Sequence, residues 1–151
     1  MESTNPSSTT PAQDERIMAA LAHVTALLPM MGVIVPILIW ITQKEKSKYV
    51  AFQAIQAAAF QLFMVLGWFL GMGCYMGSFI ATFAGMALSN GFGRSTDQGM
   101  FMFFPFLVFG LILLAGAVCV IYGAAAAIMT LRGKDFRYVV LGRKLEQFLQ
   151  K

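Results

Sequence analysis

Four polar side chains interrupt the apolar sequence of this protein: His23, its single histidine, and Gln53, Gln56 and Gln61. A neutral amide in an apolar helix must find a partner or water, and an interhelical hydrogen bond in a membrane is worth about 0.6–2 kcal/mol. The three glutamines share one arc of a helical wheel. The plainer reading has them facing the headgroup layer; the functional one makes them, with His23, a candidate polar groove or partner contact. Other chemistry lacks raw material. One histidine cannot build a two-His metal site, and no acid lies within a turn of His23 to orient it as a base. Cys74 and Cys119 are isolated from any Cys-x-x-Cys spacing and read as packing residues. No glycine-rich phosphate loop follows a strand. The chain is therefore expected to be non-enzymatic, with no cofactor and no metal.

The elements that hold these residues follow from the charge map. Of 151 residues, 58% are hydrophobic and only 12% charged, with a mean hydropathy of +0.71. A soluble domain carries about 25% charged residues. Residues 17–43, 49–93 and 98–131 contain no Asp, Glu, Lys or Arg, and such stretches read as transmembrane helices. The expected fold is all-α, a polytopic integral membrane protein with about three transmembrane helices. Spans are placed near 17–42, 62–88 and 100–131, with an interfacial helix over 49–61. Residues 1–16 read as a disordered polar tail without the basic start of a signal peptide. Residues 132–151 read as a basic amphipathic cytoplasmic tail. There Tyr138, Leu141, Leu145, Phe148 and Leu149 would share the apolar face of a helix lying in the membrane plane. Pro29 and Pro36 break the first block, so it is either one kinked span, the expectation adopted, or a re-entrant pair of half-helices.

Basic residues set orientation. Lys44, Lys46 and Lys48 flank one loop, and Arg132, Lys134, Arg137, Arg143, Lys144 and Lys151 follow the last span. Three spans put both segments on the cytoplasmic face and the N-terminus outside; a re-entrant first block would bring the N-terminus inside. The same cations would attract anionic lipid, whereas no aromatic-interleaved basic patch points to nucleic acid. Gly73, Gly77, Ala81 and Gly85 recur every four residues, a spacing that lets membrane helices approach closely. The expected contact is between the second and third spans, with a homo-oligomer or another membrane protein as the alternative.

The run from Lys44 to Ala57, KEKSKYVAFQAIQA, resembles the signature of the family around the chloroplast inner-envelope translocon component Tic-twenty and its prokaryotic relatives. That family has a broken apolar segment, a Lys/Glu loop and then an aromatic-Val-x-Phe-His/Asn-Ala-x-Gln-Ala helix start. The Ala-x-Phe-Gln at Ala58–Gln61 and His23 with Leu27 and Leu28 extend the likeness. Gln53 stands where the family has His or Asn, and Ala51 where it has Arg or Asp. The resemblance implies a multi-pass protein of a prokaryotic inner membrane, of the import-channel type. Together these readings give a non-enzymatic accessory or scaffold subunit of a membrane complex, related to protein translocation or assembly. The alternative is a small oligomeric channel or transporter.

Overall fold

The computed structural model describes residues 10–28, 32–88 and 95–138, with side chains left out for 95–101. Its elements are four helices, α1 (Gln13–Val24), α2 (Ile34–Gln43), α3 (Lys48–Leu88) and α4 (Ser95–Leu131), and a 3₁₀ turn at Thr25–Leu27. The described residues hold no strand, in keeping with the all-α expectation. By its contacts the chain forms two compact units, Met1–Gln61 with Tyr122–Lys151 and Leu62–Ile121.

Among the described residues two helices, not the expected three, are long and apolar enough to cross a membrane: Lys48–Leu88 and Met102–Leu131. Only 17% of the apolar window of the first and 6% of the second is buried, which sets them apart from the core helices of a soluble protein. Large side chains such as Phe63, Leu70, Ile80, Phe103, Leu114 and Ile121 are exposed, whereas His23, Gln53, Gln56 and Thr130 are fully buried. That inversion suits a lipid solvent, where backbone and polar groups must be satisfied internally.

The first apolar block does not span. α1 has 12 residues and α2 has 10, about 18 and 15 Å long at 1.5 Å per residue against a hydrocarbon core of about 30 Å. α1 runs beside the start of α3 and α2 returns. The Ser47 hydroxyl, just before α3, lies close to Glu15 in the first turn of α1, while Ala22 near the end of α1 packs with Ala54 and Ala57 of α3 and with Ile39 and Trp40 of α2. Both ends of the block therefore lie at one end of this unit. Two short helices stand where one kinked helix was expected, the arrangement that the re-entrant alternative requires. Pro36 is accommodated in the first turn of α2, where the missing N–H has no helical partner to lose; Pro29 lies outside the described residues.

Helix α1 also takes in residues 13–16, read from sequence as part of a disordered tail. Its first turn carries Asp14 and Glu15, which complement the helix dipole, and Glu15 Oε2 accepts the Ala12 N–H at 2.9 Å. The nearby Ser47 hydroxyl first and the Ala12 N–H second hold the Glu15 carboxyl below its usual pKa. Residues 1–9 lie outside the described part. α3 is one continuous helix of 41 residues, where an interfacial helix and a separate span were expected. Ser47 Oγ accepts the Val50 N–H at 3.3 Å and so caps its start, and no proline follows to stop it.

In the unit Leu62–Ile121, α3 and α4 run antiparallel. Tyr75 meets Phe109 and Phe79 meets Phe106, with centroids 5.1 and 6.4 Å apart. Gly71 allows the approach: a methyl group on it would lie 3.2 Å from Ile112. The four-residue stripe points elsewhere. Gly73, Gly77 and Gly85 have nothing within 4 Å of where a side chain would start, and Ala81 is exposed. The contact face is offset from the stripe because 3.6 residues per turn lets only one arc of α3 meet α4. Leucine at Gly71 is expected to lower stability by about 1–3 kcal/mol through overpacking. Leucine at Gly77 should change it by less than about 0.5 kcal/mol. Thermal unfolding of both variants in detergent checks this, and equal losses would contradict the packing.

Candidate functional site

The polar site belongs to the unit Met1–Gln61 with Tyr122–Lys151 and begins where α4 stops. Gly133 adopts φ +73°, the left-handed conformation that glycine reaches without a Cβ penalty. The Gly133 N–H bonds Thr130 O at 2.9 Å and the Lys134 N–H bonds Met129 O at 3.1 Å, which closes the helix with a Schellman pair. Residues 134–138 then continue without helix. This corrects the amphipathic tail helix over its described part, and Leu141, Leu145, Phe148 and Leu149 lie outside the described residues.

A non-helical strap has no ladder of its own, so its backbone needs other partners. α3 supplies them from one face. Tyr49 Oη donates to Lys134 O at 3.4 Å. Gln53 Nε2 donates to Asp135 Oδ1 at 2.9 Å and to Phe136 O at 3.1 Å, and Gln56 Nε2 donates to the same carbonyl at 3.3 Å. Gln56 Oε1 accepts the Tyr138 N–H at 3.1 Å. The advance from Gln53 to Phe60 is about 10 Å of helix, close to the extended length of about three strap residues, so the two stay in register.

His23 closes the network from α1. Its Nε2 lies 3.1 Å from Gln53 Oε1 and its Nδ1 3.1 Å from Tyr138 Oη. Gln53 gives both amide protons to oxygen acceptors, which leaves only its oxygen facing the ring. His23 Nε2 must therefore carry the proton, and Nδ1 accepts from the tyrosine hydroxyl. Hydrogen bonds thus run in one direction, from Tyr138 through His23 and Gln53 to Asp135, whose second oxygen holds Arg137 at 3.0 Å. Burial raises the Tyr138 phenol, and nearby Tyr122 adds to the rise, so the hydroxyl stays a donor. Tyr138 stacks on Phe60 at 4.4 Å and meets Tyr122 and Phe136 edge-on.

Gln61 sits apart from this network and serves the break after α1. Its Nε2 donates to Ala22 O at 3.2 Å and Thr25 Oγ1 at 3.1 Å, while Thr25 Oγ1 donates to Ala22 O at 2.9 Å. Gly123 of α4 lets Ala26 come close, since a methyl there would stand 3.0 Å from Ala26 Cβ.

His23, Gln53 and Gln56 thus meet in one buried cluster, Gln61 caps a turn, and all four are engaged inside the chain. None of them lines an open groove, because each is 4% exposed or less. Asp135 and Phe136 are residues that sequence reasoning missed, and Tyr138 is one that it placed on the apolar face of a helix. Gly133, two residues past the last apolar position of α4, was the available signal that the chain turns there. Among the described residues no three His, Cys, Asp or Glu side chains stand close enough to share a metal ion. Cys74 is exposed and Cys119 half-buried, and both are free thiols.

Replacing Gln53 with Leu leaves the His23 N–H, the Asp135 carboxylate and part of the Phe136 carbonyl demand unmet. The expected loss is about 2–3 kcal/mol, against about 1 kcal/mol for Tyr138→Phe, which removes one hydroxyl. Detergent-solubilised unfolding curves compare the two, and a smaller loss for Gln53→Leu would contradict its central place.

The family relationship differs from the one that the Lys44–Ala57 run resembled. The profile of the MamF/MmsF family, described as a magnetosome magnetite crystal formation protein family, matches residues 14–145, which include that run. The Tic-twenty resemblance is overturned, and the translocation role falls with it. The run behind that resemblance is 14 residues long, whereas the family match covers most of the chain. No curated protein and no solved structure matches the chain. Since the match spans most of its length, this chain belongs to the magnetosome magnetite crystal formation protein family.

Proposed function

We propose that this protein is a non-enzymatic accessory protein of the membrane in which a magnetite crystal forms, acting by holding a partner at that membrane. The family match over residues 14–145 carries the reading. Family and helices together make the chain a small bacterial membrane protein. The scaffold role is supported by the chemistry of the buried polar groups. His23, Gln53, Gln56 and Gln61 are all engaged inside the chain: Gln53 and Gln56 bond the strap backbone, His23 bonds the Gln53 and Tyr138 side chains, and Gln61 bonds the end of α1. Among the described residues nothing stands within 4 Å of a side chain built on Gly73, Gly77 or Gly85, and Ala81 is exposed; the spacing of this face suits a close helix contact with a second copy or another membrane protein.

The proposed orientation places both ends of the described chain in the cytoplasm. The start of α1, the loop with Lys44, Lys46 and Lys48, and the strap with Lys134 and Arg137 gather at the same end of one unit: Glu15 lies close to Ser47, and Tyr49 bonds Lys134. Cations favour the cytoplasmic side and would also engage anionic headgroups there.

Deleting the gene in a magnetite-forming bacterium is expected to give fewer or misshapen crystals by electron microscopy, restored by the natural gene; unchanged crystals would overturn the role. For orientation, Ser3→Cys, Ser95→Cys and Gln150→Cys are introduced singly after both native cysteines are replaced. An impermeant maleimide applied to spheroplasts should label only the Ser95→Cys protein, and labelling at Ser3→Cys would restore the outside N-terminus.

A further inference from the structure

The antiparallel pair in the unit Leu62–Ile121 does not close along its whole length. At Gly71 the helices touch, with Ile112 Cγ1 3.2 Å from where a side chain would start. From there toward Phe63 on α3 and Cys119 on α4 they leave a groove of about 210 Å³. That is larger than the cavity of about 150 Å³ that takes a benzene ring. Its walls recur at helical spacing, Phe63, Gly67 and Trp68 on one side and Ile112, Gly116 and Cys119 on the other. The groove therefore follows about 8–10 Å of each helix.

Gly67 and Gly116 make the room. Nothing stands within 4 Å of a side chain built on either, and both line the groove. Phe63 and Trp68 line it too and yet remain exposed, so they form its rim. No charged side chain, hydroxyl or carboxamide is among the lining residues, which leaves a polar ligand nothing to pair with. The groove lies in the two helices that are long and apolar enough to cross a membrane, so what reaches it is lipid or another membrane helix. A second helix approaches closely only where small residues meet it. Here the bulky rim bars a helix backbone from the glycine floor, whereas a flexible hydrocarbon chain passes between the rim side chains. Inside, such a chain meets protein on several sides, contacts that an empty groove would forfeit.

We propose that the groove between α3 and α4 is a binding site for one acyl chain of a membrane phospholipid, held in place while the surrounding lipid exchanges. The site requires that α3 and α4 lie in a membrane and is independent of the accessory role.

The test uses the full chain in nanodiscs of a phospholipid that carries a photoactivatable diazirine midway along one acyl chain. Leu66, Leu114 and Val118 are exposed at the same level of the two helices but outside the groove, so they report the freely exchanging lipid. Adducts are expected to be several-fold more frequent on Met64, Trp68 and Ile112 than on these three. Gly116→Leu fills the groove and should lower the groove adducts by about threefold or more, with those on Leu66 unchanged. Equal labelling inside and outside the groove of the natural protein overturns the proposal, and so do unchanged groove adducts in folded Gly116→Leu protein. Should that variant fail to fold, Gly67→Leu fills the groove from α3 and is read in the same way. Oxidative cross-linking of two copies through Cys119, in a Cys74→Ala background, would seat a second chain at the groove and likewise refute the lipid site.

Discussion

Backbone hydrogen bonding without water is the constraint on which this structure depends. Two segments of the chain leave the helical state where helices pack around them, the turn after α1 and the strap after Gly133. Each brings carbonyls and N–H groups that a low-dielectric surrounding would penalise heavily. α3 answers both with side chains on successive turns. Tyr49, Gln53 and Gln56 serve the strap, and Gln61 serves the turn. Glutamine suits the task because its amide offers a donor and an acceptor on a side chain long enough to clear the helix.

The packing around this polar seam is made of small residues. Ala19, Ala22, Ala26, Ala54, Ala57, Ala126 and Ala127 are buried, and leucine, isoleucine and phenylalanine side chains occupy the outer surface. Short side chains bring helix axes close, and closeness lets a glutamine on one helix reach backbone on another segment. The aromatic group of Phe60, Tyr122, Phe136 and Tyr138 closes around the histidine end of the seam, so that its hydrogen bonds form away from solvent and gain strength. Rigid polar bonds inside and a smooth apolar exterior suit a protein that acts by presenting a fixed surface to a membrane neighbour, which is the role proposed for it.

Some features were legible from residues alone and others were not. The helical class followed from charge-free apolar stretches, and the singular character of His23, Gln53, Gln56 and Gln61 followed from their polarity in an apolar setting. The first block was misread because length and hydropathy count residues without asking whether they continue in one direction; 26 apolar residues suffice for a span, but the chain turns at Gly32. Tyr138 was misplaced because helical periodicity can be drawn through any run with apolar residues at suitable intervals, and the left-handed Gly133 ends the helix before that run begins. The family resemblance failed because it rested on one short run, whereas the family match covers residues 14–145.

What the sequence by itself determined is the solvent this protein folds in, the helical state of its segments and the identity of the polar residues that must find partners. Those are properties of composition and local pattern. Which partners they find was decided only by tertiary structure. His23 and Gln53 are 30 positions apart and His23 and Tyr138 are 115 apart, and no local rule connects residues at such distances. They meet because α1 runs beside the start of α3 and the strap follows the same face, a choice governed by where the unpaired backbone groups of two broken segments could be satisfied.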